Sequence, residues 1–233
     1  IKSLIKSNNV FLLGVGWWQY QNLNKATKII YRKTFKNNIQ SVRDSYTQEN
    51  LKSCGVKNII NTSCPTTWNL PNEFNNESDS VILTLTDYNK SFVHDKYFIE
   101  LLLKKYEKCF FWPQGIGDMD YLSELGFLEN FEILDRRLTS YDECLINYSA
   151  TMVGTRLHAG IRALQKGNKA LILSVDNRAI EIKKDINLPV ISRFDLTKIQ
   201  NILSQELEIN IKSKKIEIAL YNELFIKNIN DVK

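Results

Sequence analysis

From Val81 onward the chain alternates short apolar runs with stretches of helical periodicity, and this alternation limits what it can fold into. The runs are Val81 to Thr86, Cys109 to Trp112, Phe131 to Leu134, Thr151 to Val153, Lys169 to Val175 and Pro189 to Ile191. Each is short enough to be a buried strand. Helical patterns fill the gaps at 92–107, 118–125, 141–148, 156–166 and 178–185, and another follows from Asp195 to about Leu207. Strands separated by helices of this length make right-handed crossovers within a parallel sheet. Six of them fit a doubly wound, Rossmann-like domain with strand order 3-2-1-4-5-6.

The front of the chain repeats the pattern on a smaller scale. Val10 to Val15 (VFLLGV) suits a buried strand ending in glycine. A basic helix is expected over Lys25 to Phe35 and a strand over Ile39 to Arg43. Ser45 and Gln48 have capping-box spacing, and Gly55 sits where the residue ending that helix belongs. Val56 to Asn61 is the next strand, and the polar stretch Pro71 to Asp79 (PNEFNNESD) reads as a linker. This portion has too few strands for a complete domain. With Ile1 rather than Met at the start, it reads as the last part of a first α/β domain whose opening strands are absent. The expected division is therefore 1–78, 79–208 and a C-terminal helix within 209–233 that packs back on the first domain.

Composition excludes several classes. An apolar fraction of 43% is that of a globular chain. No apolar run approaches the roughly 20 residues of a membrane span, and no signal peptide is evident. Lys and Arg number 31 against 26 Asp and Glu, with the surplus spread along the chain. No basic stretch interleaved with aromatics suggests nucleic acid. The four cysteines form no CxxC or Cys/His cluster, so reduced thiols in a cytoplasmic protein and no metal are expected. Walker A, GxSxG, HExxH and a full GxGxxG are all missing.

Chemistry is expected where ligands bind open α/β sheets, outside the carboxyl ends of the strands at the switch point. The fourth strand of the second domain ends there in Val153-Gly154-Thr155-Arg156-Leu157-His158. With Thr155 as N-cap, the amides of Arg156, Leu157 and His158 would face an anion. Arg156 adds a charged fork and His158 an imidazole, a side-chain type that can both give and take a proton. His94, the other histidine, reads as a surface or capping residue. Arg43 also ends a strand, with a plain Arg43–Asp44 surface contact, worth little, as the alternative. Asp176 and Arg178 follow the fifth strand, and Arg178 with Glu181 has the spacing of a plain helix pair. Gln114 opens the Gln114-Gly115-Ile116-Gly117 turn after the second strand. Trp17 and Trp18 follow another glycine turn and either stack on a sugar or cover the core.

At these residues the sequence resembles the polysaccharide pyruvyl transferase family. The resemblance is carried by SVRDSYTQENLKSCGV (Ser41 to Val56), TSCPTTWNL (Thr62 to Leu70) and VGTRLHAGIRALQKGNKALILSVDNRAIEI (Val153 to Ile182). The Gly/Asn-rich loop usual near the family's N-terminus has no counterpart. The resemblance implies an α/β fold of two facing Rossmann-like domains, the GT-B architecture. It implies transfer of pyruvate from phosphoenolpyruvate, with no further cofactor, onto a sugar or lipid-linked saccharide of a cell-surface polysaccharide. Carried over residue by residue, Arg43, Arg156 and the Leu157 backbone would hold phosphoenolpyruvate, and His158 would be the acid/base. Asp176, Arg178, Glu181, Gln114 and Trp17 are left as acceptor or cleft candidates. A lipid-linked acceptor would bring peripheral association with the inner face of the membrane. The oligomeric state is not encoded in any motif. The rival readings are a GT-B glycosyltransferase using a sugar nucleotide and a non-catalytic remnant that binds but does not turn over.

Overall fold

A computed structural model describes residues 10–75 and 78–230. The elements run α1 (Lys25–Phe35), β1 (Gln40–Val42), α2 (Ser45–Ser53), β2 (Ile59–Asn61), β3 (Ser80–Thr84), α3 (Phe92–Lys105), β4 (Lys108–Phe111), α4 (Asp118–Glu124), β5 (Glu132–Ile133), α5 (Leu138–Tyr148), β6 (Thr151–Gly154), α6 (Leu157–Gln165), β7 (Ala170–Ser174), α7 (Asn177–Ile186), β8 (Val190–Ser192), α8 (Leu196–Leu203) and α9 (Lys215–Asn230). They form two compact units. The first takes 1–68, 176–188 and 212–233; the second takes 69–175 and 189–211.

The second unit is a parallel sheet in the order β5-β4-β3-β6-β7-β8, which is the expected 3-2-1-4-5-6. Every residue of β3 and β7 is buried, as in a strand covered on both faces, whereas the two residues of edge strand β5 are exposed. The core gathers Val81, Leu83, Phe98, Phe111, Val153 and Leu173 with the apolar faces of the flanking helices. β6 meets β3 closely: a Cβ on Gly154 would lie 2.1 Å from the Thr84 carbonyl oxygen. α6 buries Leu157, Ile161 and Leu164 at i, i+4 and i+7, and Gly160 lets it approach Ile172 of β7. The helix ends at Gly167, whose φ of +80° is a left-handed conformation open to glycine.

α5 and α6 are joined by charge. Asp142 accepts from Arg162 Nε at 2.9 Å and pairs with Lys166 at 3.2 Å. The Arg162 bond, helped by Lys166, holds the Asp142 carboxyl below the usual carboxylate range despite burial. A lowered folded-state pKa adds stability that is complete above the ordinary carboxylate value and is lost as pH falls through the folded one. Asp142→Asn should therefore cost about 1 kcal/mol at pH 7. Urea denaturation should show that deficit shrinking toward strongly acid pH.

In the first unit β1 and β2 pair in parallel through α2. The expected strand at Val10 to Val15 is not formed. Gly14, at φ +58°, breaks the extended run, and side chains replace part of a ladder. The Leu12 amide donates to Gln40 Oε1 and the Gly14 amide to Ser41 Oγ, which leaves a single bridge between Val15 and Val42. The cap of α2 is Asp44, whose Oδ1 accepts from the Thr47 amide at 2.7 Å. Ser45, expected to cap, instead donates its amide and hydroxyl to Asp185. α9 docks in this unit, with Asn228 Oδ1 accepting the Ile39 amide and Tyr221 Oη donating to Leu12 O.

The units differ from the division read in the sequence. α7 was expected within 79–208, but it groups with the first unit, because Asn177, Glu181 and Asp185 spend their polar groups on residues 17–61. Residues 69–78 fall with the second unit rather than the first.

Candidate functional site

In the second unit the loops after β3, β4 and β6 converge at the switch point. Thr155 is not the N-cap of α6: its hydroxyl is buried against Thr86 Oγ1 at 2.9 Å. Arg156 holds the cap position, and no side chain caps the helix, so the first-turn amides of Leu157 and His158 stay available to an anion. Leu157 is buried and anchors the turn, while His158 is exposed. Tyr141 braces the same turn. Its hydroxyl donates to Ala159 O, and its ring stacks on Trp112 at a centroid distance of 4.0 Å.

Arg156 is held from several sides. Its Nε donates to Leu85 O at 2.8 Å, Nη2 donates to Asp118 Oδ1, and Asp87 lies 3.5 Å from Nη2. The Tyr88 ring is 5.7 Å from the guanidinium carbon. Nη1 has no hydrogen-bond partner among the described residues. The fork is therefore held by Leu85 O and Asp118, with Asp87 nearby and one terminal nitrogen left over. Gln114 is exposed, and its amide donates to Asp118 Oδ2. Asp87 and Asp118 were missed in the sequence. The signal was there: each follows the carboxyl end of a strand beside the switch point.

The first unit assembles the other candidates. Arg43 donates only Nε, to Asp44 Oδ2 at 3.3 Å, so the simple Arg43–Asp44 contact is present. Its guanidinium lies over Gly16 through Nη2, Cζ and Nε, and its terminal nitrogens make no hydrogen bond among the described residues. α7 meets the 17–20 loop. Asn177 Oδ1 accepts the Gln19 amide and Asn177 Nδ2 donates to Trp17 O. Tyr20 Oη donates to Glu181 at 2.7 Å, and burial together with that bond pushes the phenol up to about 12. Arg178 forks onto Asp176 and sits over the Trp18 ring, while Glu181 pairs with Lys184. Burial raises the Asp176 carboxyl, but bonds from Arg178, with the Arg43 charge behind them, bring it below the usual range. Trp17 donates its amide to Thr47 Oγ1 and lines a cavity of about 410 Å³ with Leu12, Val15, Trp18, Tyr31 and Phe35. Trp17 packs against the small core of Val42 and Leu51, and Trp18 is the more exposed of the two.

His94 bonds Ser91 Oγ through Nδ1 at 2.9 Å. Among the described residues no group of three or more His, Cys, Asp or Glu is placed to hold a metal, and no disulfide forms. Among the described residues no helix is long and apolar enough to cross a membrane.

The fold is similar to that of solved GT-B glycosyltransferases. S. aureus TarM, as its G117R mutant in complex with fondaparinux, alpha-GlcNAc-glycerol and UDP, superposes with a TM-score of 0.55 at 14% identity over 95% of this chain. A second TarM crystal structure gives 0.50 at 14% identity over 89%. The chain spans about half the length of these proteins, 47% and 44%. At that identity the likeness concerns the fold. No curated protein matches the chain in sequence. Residues 2–110, a span that includes Arg43, match the model of the polysaccharide pyruvyl transferase family.

Proposed function

We propose that the chain transfers pyruvate from phosphoenolpyruvate to two hydroxyls of a saccharide, forming a ketal. The observation that carries this reading is the α6 N-terminus, where uncapped amides, the unbonded Nη1 of Arg156 and the exposed His158 occur within three residues. The family match over residues 2–110 supports it from the other end of the chain. Phosphoenolpyruvate carries a carboxylate and a phosphate, and amides plus guanidinium groups answer both. Arg156 and the Leu157 amide are assigned to this anion, and Arg43, with its two unbonded nitrogens, is assigned as the further anion-binding guanidinium.

The chemistry asks for one proton donor near the methylene. Protonation of that carbon makes C2 electrophilic, a sugar hydroxyl forms the C2–O bond, and the C2–O bond to phosphate breaks. A second hydroxyl then closes the ketal. One hydroxyl proton replaces the one given to the methyl group, and the other leaves with inorganic phosphate. His158 can relay both, as a general acid and then a base. No other cofactor enters this scheme. The acceptor is a sugar or lipid-linked saccharide, and a lipid-linked one would place the work at a membrane face in the cytoplasm.

Two measurements test the reading. Phosphate release should require both phosphoenolpyruvate and a saccharide, and thermal shift should respond to phosphoenolpyruvate rather than to a panel of sugar nucleotides. A response to sugar nucleotides alone would favour the glycosyltransferase alternative, and binding without phosphate release would favour a non-catalytic remnant. Arg156→Ala should weaken phosphoenolpyruvate binding by at least tenfold, since charged hydrogen bonds contribute about 1.5–3 kcal/mol. Calorimetry showing unchanged affinity would remove Arg156 from the site.

A further inference from the structure

Asp118 opens α4, is fully buried, and accepts four hydrogen bonds from three strand ends. Its Oδ2 takes the amides of Gln114 at 2.9 Å and Gly115 at 2.7 Å, which follow β4. Its Oδ1 takes the amide of Asp87 at 3.2 Å, which follows β3, and Nη2 of Arg156, which follows β6. The β4 loop closes onto this group only because glycines are present. A Cβ on Gly115 would lie 2.6 Å from Arg156 Nη2 and 2.8 Å from Asp118 Oδ1, and one on Gly117 would lie 2.9 Å from Asp87 Oδ2. A buried carboxylate is tolerated when its acceptors are satisfied in this way.

We infer that Asp118 is a positioning residue that fixes the plane of the Arg156 guanidinium beside the α6 N-terminus, so that Nη1 meets an incoming anion without first losing side-chain freedom. This rests on the phosphoenolpyruvate reading above. Arg156 loses its rotamer entropy on folding rather than on binding, which favours the ligand. Charge alone argues the opposite, because a carboxylate beside an anion site repels the anion. The two effects therefore predict opposite signs. Asparagine at 118 would keep the shape, but it offers one acceptor and one donor face in place of two acceptors, so either the loop amides or the guanidinium must lose its partner.

The test is calorimetric titration of phosphoenolpyruvate into the full chain and its variants, with thermal melts alongside. Asp118→Asn is expected to weaken binding at least tenfold, and Asp87→Asn, which removes a charge without removing the clamp, to leave it equal or tighter. Asp118→Asn binding as tightly as the parent, or more tightly, overturns the inference. Should that variant fail to fold, Gly115→Ala presses on the same ion pair while keeping the carboxylate. It should also lose affinity, and undiminished affinity there overturns the inference as well. A parent chain that ignores phosphoenolpyruvate sinks the donor reading instead, and the same comparison with inorganic phosphate then decides the role of Asp118.

Discussion

His158→Ala is expected to remove turnover by roughly 10²–10⁴-fold, the usual contribution of a positioned acid/base group, while phosphoenolpyruvate still binds. The ring is exposed on the first turn of α6 and makes no hydrogen bond among the described residues, so its truncation breaks nothing that holds the unit together. Stability should stay within about 0.5 kcal/mol, as for other surface substitutions. The amides and Arg156 remain in place to bind the anion. A single-turnover assay of phosphate release, read beside a titration of phosphoenolpyruvate, separates the two properties. Near-normal turnover in the variant would end the assignment of His158. Lost binding with a normal melt would make it a ligand contact instead.

Arg193→Met is expected to carry the largest stability loss, about 3–5 kcal/mol, because it strips the partner from a buried charge. Arg193 is 1% exposed and Asp95 0%. Arg193 Nη1 lies 3.2 Å from Asp95 Oδ2, and Nη2 donates to Asn89 O. Tyr121 Oη donates to the same carboxylate, which also receives the Ser91 amide. Burial pushes the Asp95 carboxyl up, and Tyr121, Arg193 and the Ser91 amide act against that rise. Without Arg193 the carboxyl should rise further. A carboxyl whose folded pKa exceeds its unfolded one binds more protons in the folded state, so stability falls as pH climbs between the two values. The variant should therefore be relatively better at pH 5 than at pH 8. Asp95→Asn added to it should recover part of the loss at pH 8. Equal deficits at both pH values, with no recovery in the double variant, would show that the arginine acts through packing alone.

The loop between β3 and α3 illustrates how far the sequence could be read. Strand β3 and helix α3 are legible from periodicity, and Ser80–Thr84 and Phe92–Lys105 lie close to the expected ranges. The loop's fastening is not legible. The Asp87 amide goes to Asp118 and the Ser91 amide to Tyr121, both on α4, and Arg193 reaches in from the end of β8. These partners are 30 residues or more away, where no local pattern reports them. The Val10 to Val15 run shows the reverse. Its composition suits a strand, but Gly14 and the side chains of Gln40 and Ser41 take over part of the hydrogen bonding. Thr155 had the chemistry of a cap, yet Thr86 claims its hydroxyl once β3 and β6 are paired.

By itself the sequence determined the alternation of elements in the second unit, their parallel order, and the placement of Arg156, Leu157 and His158 at the switch point. Apolar periodicity and turn residues act over a few positions and therefore survive in a bare string. Tertiary structure alone decided the company those residues keep. It set Arg156 beside Asp118 and Asp87 with one nitrogen unbonded among the described residues, and laid the Arg43 guanidinium over Gly16. It also grouped α7 with residues from the front of the chain, so that Trp18 meets Arg178 and Tyr20 meets Glu181 across roughly 160 positions. A charged or aromatic side chain takes its role from neighbours brought in by long-range packing, and the physics of that choice, desolvation against pairing, is settled only when the chain is folded.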